Sequence, residues 1–216
     1  RLGAPAAPRA GRLLSLSAVQ RVAKAAAGVD ARRAVPLPAP RSLRGWARRS
    51  SYGVRPTAES RPDVDVVLWA DTFTDHFSPD QGRAAVAVLE AAGLRVGVLD
   101  ENACCALTWV STGQLDAARK ILGRTVGTLH VLAAAGVPVV ALEPSCLATL
   151  RTDAAELLDD PRVAAVAANT RTLAEHLATV PGWEPPDLTG TEVVVQPHCH
   201  HASVLGWEVD AALLAS

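Results

Sequence analysis

Val64-Asp-Val-Val-Leu-Trp-Ala70 is a short apolar run rich in β-branched residues, the composition of a strand buried on both faces. Arg95-Val-Gly-Val-Leu99 and Val137-Pro-Val-Val-Ala-Leu142 repeat the pattern, and Glu192-Val-Val-Val-Gln196 is a fourth candidate. Helical patterns lie between them. Pro79 opens one whose Ala84, Ala85, Val88 and Leu89 share a face, and Gly93 ends it. Thr112 to Ala135 predicts a long helix closed by Gly136. Pro144 starts a helix containing Cys146, Leu147, Leu150 and Leu157, and Pro161 starts another that runs to about Thr179. Strands alternating with helices predict an α/β fold: a three-layer domain with a parallel sheet of about four strands.

Residues 1–62 differ from the rest. They hold seven Pro, at 5, 8, 36, 38, 40, 56 and 62, and predict a mostly irregular Pro/Arg-rich segment with one short helix, Ser15 to Ala27. They carry 13 Lys and Arg against 2 Asp and Glu, a net of +11. Residues 63–216 carry 8 against 20, a net of −12, and the two sum to the overall −1. This asymmetry predicts a basic arm or linker, 1–62, lying apart from an acidic folded domain that starts at 63. A nucleic-acid role for the arm is not expected, because only Trp46 and Tyr52 interleave its charges.

The 216 residues suit one domain or slightly more, and 49% hydrophobic content is enough for a core. No apolar run approaches the roughly 18 residues of a membrane span, since Val126 to Leu142 is interrupted by His130, Gly136 and Pro138. No nucleotide or acyl-transfer signature occurs. The chain has no Met and begins with Arg1, which predicts an excerpt of a longer protein.

In a parallel sheet, ligands gather beyond the carboxyl ends of the strands. Asp71-Thr-Phe follows the first predicted strand, Cys104 and Cys105 the second, Glu143-Pro-Ser-Cys146 the third, and His198-Cys-His-His201 the fourth. All four groups are therefore expected at one sheet edge. An adjacent cysteine pair argues against a disulfide framework. Thiolates are soft ligands that favour iron–sulfur clusters, zinc or copper(I). The spacings, 40 residues between Cys105 and Cys146 and 52 between Cys146 and Cys199, are not those of a zinc finger or a ferredoxin loop. They suit a site assembled from the tips of separate units. His198, His200 and His201 are candidates for ligands, for orienting a thiolate, or for passing protons. The alternative is that they cap the next helix.

The pieces Asp71-Thr-Phe, Cys104-Cys-Ala-Leu-Thr-Trp-Val-Ser-Thr-Gly-Gln-Leu-Asp116, Leu142-Glu-Pro-Ser-Cys146 and Pro197-His-Cys-His-His201 resemble the cysteine-rich CCG domain. That domain occurs in heterodisulfide reductase, in the iron–sulfur subunits of glycolate oxidase and anaerobic glycerol-3-phosphate dehydrogenase, and in fused FAD-linked oxidase/iron–sulfur proteins of the D-lactate or D-2-hydroxyacid dehydrogenase type. The resemblance covers about residues 64–205. Asp71 stands where the motif has a leading Cys, Ala106 where it has Gly, and Thr149 where it has its last Cys. Cys199 resembles the leading Cys of a second repeat, which makes 63–190 the first unit and 191–216 the start of another.

The resemblance implies an iron–sulfur electron-transfer module, of 4Fe-4S type, within a flavin-dependent 2-hydroxyacid dehydrogenase. Cys104, Cys105, Cys146 and Cys199 would be ligands, with Asp71, Glu143, His198, His200 and His201 around them. FAD would sit in an N-terminal part beyond this stretch. Electrons would pass from the flavin domain to an acceptor such as a quinone or cytochrome, in the cytoplasm or at the inner face of the membrane. The competing reading is a zinc- or thiol-stabilised interaction domain with no redox role.

Overall fold

The computed structural model describes residues 16–59 and 61–216. Five short strands form one sheet: β1 (Gly53–Val54), β2 (Val66–Trp69), β3 (Val96–Leu99), β4 (Val139–Ala141) and β5 (Thr170–Arg171). Their order is β1-β3-β2-β4-β5, and every pairing is parallel. The α/β fold read from the alternating pattern is the fold observed. Among the described residues no helix is long and apolar enough to cross a membrane.

The helices before and beside the first strands are α1 (Ser17–Ala26), α2 (Leu43–Arg49), α3 (Thr72–His76) and α4 (Pro79–Ala91). Then come α5 (Leu107–Ser111), α6 (Leu115–Ala134), α7 (Pro144–Arg151), α8 (Asp153–Leu157), α9 (Arg162–Asn169) and α10 (Leu173–Leu177). A π-helical turn (His201–Leu205) and α11 (Glu208–Ala215) follow. Side chains alternate across a strand, and β2 shows what this does. Val67 and Trp69 enter one core with Leu122, Val126 and Leu129 of α6 and Val163 and Val166 of α9. Val66 and Leu68 enter a second core with Ala85, Val86 and Leu89 of α4. All four β2 residues are buried, so the sheet is covered on both faces.

The second half of the basic segment belongs to the domain, which corrects the expectation that it lies apart. Gly53 and Val54 pair with Val98 and Leu99, extending the sheet by an edge strand. Leu43 and Ala47 of α2 are fully buried in the second core. Leu43 fits there because position 82 is glycine: a Cβ at Gly82 would collide with both Leu43 methyl groups. The charge asymmetry has a local reason. The Arg44 backbone N–H donates to Asp75 at 2.8 Å and its Nε at 2.7 Å, while Arg48 and Arg55 both reach Asp100. Asp75 and Asp100 are almost wholly buried, so these arginines neutralise carboxylates that could not stay buried alone. The predicted helix at Ser15 to Ala27 is present as α1, apart from Ser15, which with Leu14 lies outside the described residues.

Two other expectations are corrected. Glu192–Gln196 is irregular, with Val194 fully exposed, because the edge beside β4 is taken by Thr170 and Arg171. The helix expected from Pro161 to Thr179 is broken at that same strand. Thr172 restarts it as α10 with a reciprocal cap: its side chain accepts from Glu175 N, and the Glu175 side chain accepts from Thr172 N. If α2 is part of the core, Leu43→Ala lowers unfolding free energy by about 2–5 kcal/mol, read as a lowered denaturant midpoint. A change within about 0.5 kcal/mol, typical of surface sites, would return residues 41–49 to the status of a loose arm.

Candidate functional site

Parallel pairing of β2 with both β3 and β4 sends three loops out at the same end of the sheet. The connection from β2 leads to β3 on one side, and the connection from β3 crosses back to β4 on the other. The crevice at such a reversal is where ligands bind in open α/β sheets. Asp71, the Cys104–Cys105 pair, Glu143, Ser145 and Cys146 all line a cavity of about 300 Å³ there.

Three cysteines meet in it. Cys146 Sγ lies 3.0 Å from Cys105 Sγ, and Cys104 Sγ accepts the Ala106 N–H at 3.5 Å. Cys105 is buried, whereas Cys104 and Cys146 are half-buried, and all are free thiols. The loop that carries the pair is held by two residues the sequence reading missed. Thr125 of α6 clamps Cys104 from both sides, its hydroxyl accepting from Cys104 N at 2.9 Å and donating to Cys104 O at 2.8 Å. Trp69, at the end of β2, donates from Nε1 to Ala103 O at 3.1 Å. A threonine alone among apolar residues on the buried face of α6, and a tryptophan closing a buried strand, were the available signals. Ala106 then turns the chain with φ of 62°, the left-handed region that favours glycine.

The two acidic candidates act as helix caps. Asp71 is 3% exposed, and its carboxylate accepts from Phe73 N, Thr74 N and the Thr74 hydroxyl. Glu143 accepts from Cys146 N at 2.7 Å. Both follow the preference for an acceptor at a helix start. Their charges also act on one of the three thiols, Cys146. The Cys104 thiol is pushed up by its bond to Cys105 and by burial. For Cys105, the bond from Cys104 pulls down, but contact with Cys146 and burial outweigh it, and the thiol is pushed up to about 12. For Cys146, the bond to Cys105 pulls down, but burial with the Glu143 and Asp71 charges outweighs it, and the thiol is raised. In the absence of a cation these sulfurs stay protonated at neutral pH.

The histidine group is only partly brought to this edge. His198 Nε2 lies 3.5 Å from Ser145 Oγ, and its Nδ1 accepts from His200 N. Cys199 is exposed, and the structure does not bring it into the thiol cluster. His200 keeps a buried Nδ1 without a partner. His201 is a packing residue: Nε2 lies 3.0 Å from Asp210, and its ring meets Trp207 edge-on.

The donor set of three thiols suits a soft cation or an iron–sulfur group. Among the described residues, no three His, Cys, Asp or Glu side chains stand together at metal-ligating distances. The shortfall at the sulfur pair is small. Two thiolates on one tetrahedral ion with bonds of about 2.3 Å sit about 3.8 Å apart, so the pair must open by under an ångström for a single ion. A larger cluster needs wider opening and a fourth ligand. Asp71 is the weakest candidate for that place, since three donors already occupy its oxygens.

The Thr125 clamp yields a testable expectation. Thr125→Val removes a buried hydroxyl and leaves the N–H and C=O of Cys104 facing an apolar side chain, which costs about 1–3 kcal/mol. It should also raise the alkylation rate of Cys104 in the native, metal-free chain, read by peptide mass mapping. In the wild-type chain the exposed Cys199 should react on the order of ten times faster than the other three. Equal labelling of all four would show that the three thiols are not enclosed.

No family model matches the chain, and no solved structure matches it. Among curated proteins it is similar to the C subunit of anaerobic glycerol-3-phosphate dehydrogenase from Escherichia coli strain K12 and from Escherichia coli O157:H7. Each is 25% identical over 180 residues, which is 83% of this chain and 42% of the relative. The chain thus spans less than half the length of these curated relatives.

Proposed function

We propose that this chain is an iron–sulfur electron-transfer module of a flavin-dependent dehydrogenase. The observation that supports it most is the convergence of Cys104, Cys105 and Cys146 where three strands end. The similarity to a dehydrogenase subunit over most of the chain agrees with it, as does the CCG-like pattern of the same residues. Bound there, the group would take and release single electrons.

The chain's own part is to present sulfur. Cys104, Cys105 and Cys146 hold the group, and the fourth ligand is Cys199, once its segment closes over the cavity, or a donor from outside this chain. Thr125 and Trp69 fix the backbone of the pair, and the Ala106 N–H directs a hydrogen bond at Cys104 sulfur. A positive centre lowers the pKa of thiols that are otherwise held protonated, so loading releases protons. Glu143 and Asp71 hold the helix starts on either side, and His198 reaches the cavity wall at Ser145. The flavin lies on another domain or subunit. The substrate is a secondary alcohol: a 2-hydroxyacid of the D-lactate type, with glycerol 3-phosphate, for which the relatives are named, as the other choice. The acceptor is a quinone or cytochrome.

The test uses the native protein with its flavin partner, purified without oxygen. Iron and acid-labile sulfide should be present, and Cys104→Ser or Cys105→Ser should remove most of both. Substrate should still reduce the flavin in a single turnover. Unchanged iron in both variants would overturn the reading. Zinc without sulfide would favour a thiol-stabilised interaction domain.

A further inference from the structure

Cys105, in the loop after β3, and Cys146, in the first turn of α7, are 41 positions apart in sequence, and their sulfurs lie 3.0 Å apart without being bonded. A disulfide needs the two sulfurs to close to about 2.05 Å. The cavity of about 300 Å³ opens onto the sulfurs, walled by Trp69, Phe73, Leu107 and Trp109, with Asp71 and Glu143 also lining it. Phe73 is 66% exposed, a large ring left open to solvent at the cavity wall. The walls suit the carbon skeleton of a small molecule, and the two carboxylates favour a cationic one.

We propose that Cys105 and Cys146 form a redox-active dithiol that closes to a disulfide at the expense of a small cationic disulfide admitted to this cavity. Cys146, the more accessible of the two, loses its proton to solvent. Its sulfur attacks one sulfur of the small disulfide, forming a mixed disulfide and expelling one thiolate. Cys105 then loses its proton and attacks Cys146 sulfur, expelling the second thiolate. Two protein thiols are oxidised, one disulfide is reduced to two thiols, and the two protons released are taken up by the two leaving thiolates. Thiols run the sequence backwards.

Cys104 is the competing partner. A bridge between adjacent cysteines closes a strained small ring, and the clamp on both backbone groups of Cys104 opposes the twist that ring requires. A Cys105–Cys146 bridge instead joins the loop after β3 to the first turn of α7, whose sulfurs already meet. Closing it withdraws two donors from the soft-metal site, so exchange decides whether that site can be loaded. This last consequence rests on the iron–sulfur reading; the bridge itself does not.

The experiment treats the reduced, metal-free chain with cystamine, without oxygen, in mildly alkaline buffer. Mass spectrometry then maps linkages after acid quenching, and free thiols are counted in denaturant. The exposed Cys199 takes up a cysteamine adduct, so the expected result is a fall from the four thiols of the sequence to one, with an intramolecular link mapped to Cys105 and Cys146. Formation of the Cys105–Cys146 bridge with the dianionic dithiodipropionate should be several-fold slower. An intramolecular link through Cys104 or Cys199, loss of the Cys199 thiol alone, or faster bridge formation with the anionic reagent would overturn the proposal. A parallel iron and sulfide reconstitution separates the two readings. Bridge formation in a protein that never binds iron would sink the iron–sulfur reading and leave the dithiol. Iron binding with no bridge would do the reverse.

Discussion

Everything at the candidate site depends on one constraint, the parallel pairing of β2 with β3 on one side and β4 on the other. Parallel strands all end at the same edge of the sheet. Three loops that are distant in sequence must therefore leave together, and their short reach brings Asp71, Cys105 and Cys146 to one cavity. An antiparallel β3 would carry the cysteine pair to the opposite edge. The thiol contact is a consequence of topology, and the packing of α4 and α6 on the two faces is what holds that topology.

Charge completes the same architecture. The segment carrying the positive excess docks on the domain carrying the negative excess, through Arg44 on Asp75 and Arg48 and Arg55 on Asp100. Asp100 is the first residue after β3, so the pairing also steadies the start of the loop that carries Cys104 and Cys105. The thiol cavity itself contains carboxylates without such a cation among its lining residues. A site that raises the pKa of its thiols and lines them with negative charge is poised for a positive occupant.

Much of this was legible in the chain's own pattern. Three buried strands and their helices follow from apolar runs and Pro/Gly punctuation, and the placing of Asp71, the cysteine pair and Cys146 follows from the strand ends. What was not legible depended on tertiary competition. Val193–Val195 has strand composition, but the place beside β4 goes to Thr170 and Arg171, held by Arg151 on Thr170 O and by the Thr172–Glu175 cap. That cap was visible as a Thr-x-x-Glu spacing. Gly53 and Val54 are too short a run to announce a strand, and Leu43 is buried because of glycine at a distant position. Thr125 could not be assigned a role, because its partner is a backbone 21 positions away.

The central claim is that three thiols, two on the loop after β3 and one in the first turn of α7, form one soft-metal site at the carboxyl end of the sheet. Titration of the reduced chain with Cd²⁺, followed by ultraviolet thiolate-to-metal absorption, tests it most directly. The account predicts a saturable charge-transfer band that survives Cys199→Ser and is strongly reduced by Cys146→Ser. A band that persists in Cys146→Ser and vanishes in Cys199→Ser, or the absence of any band in the folded wild-type chain, would contradict it.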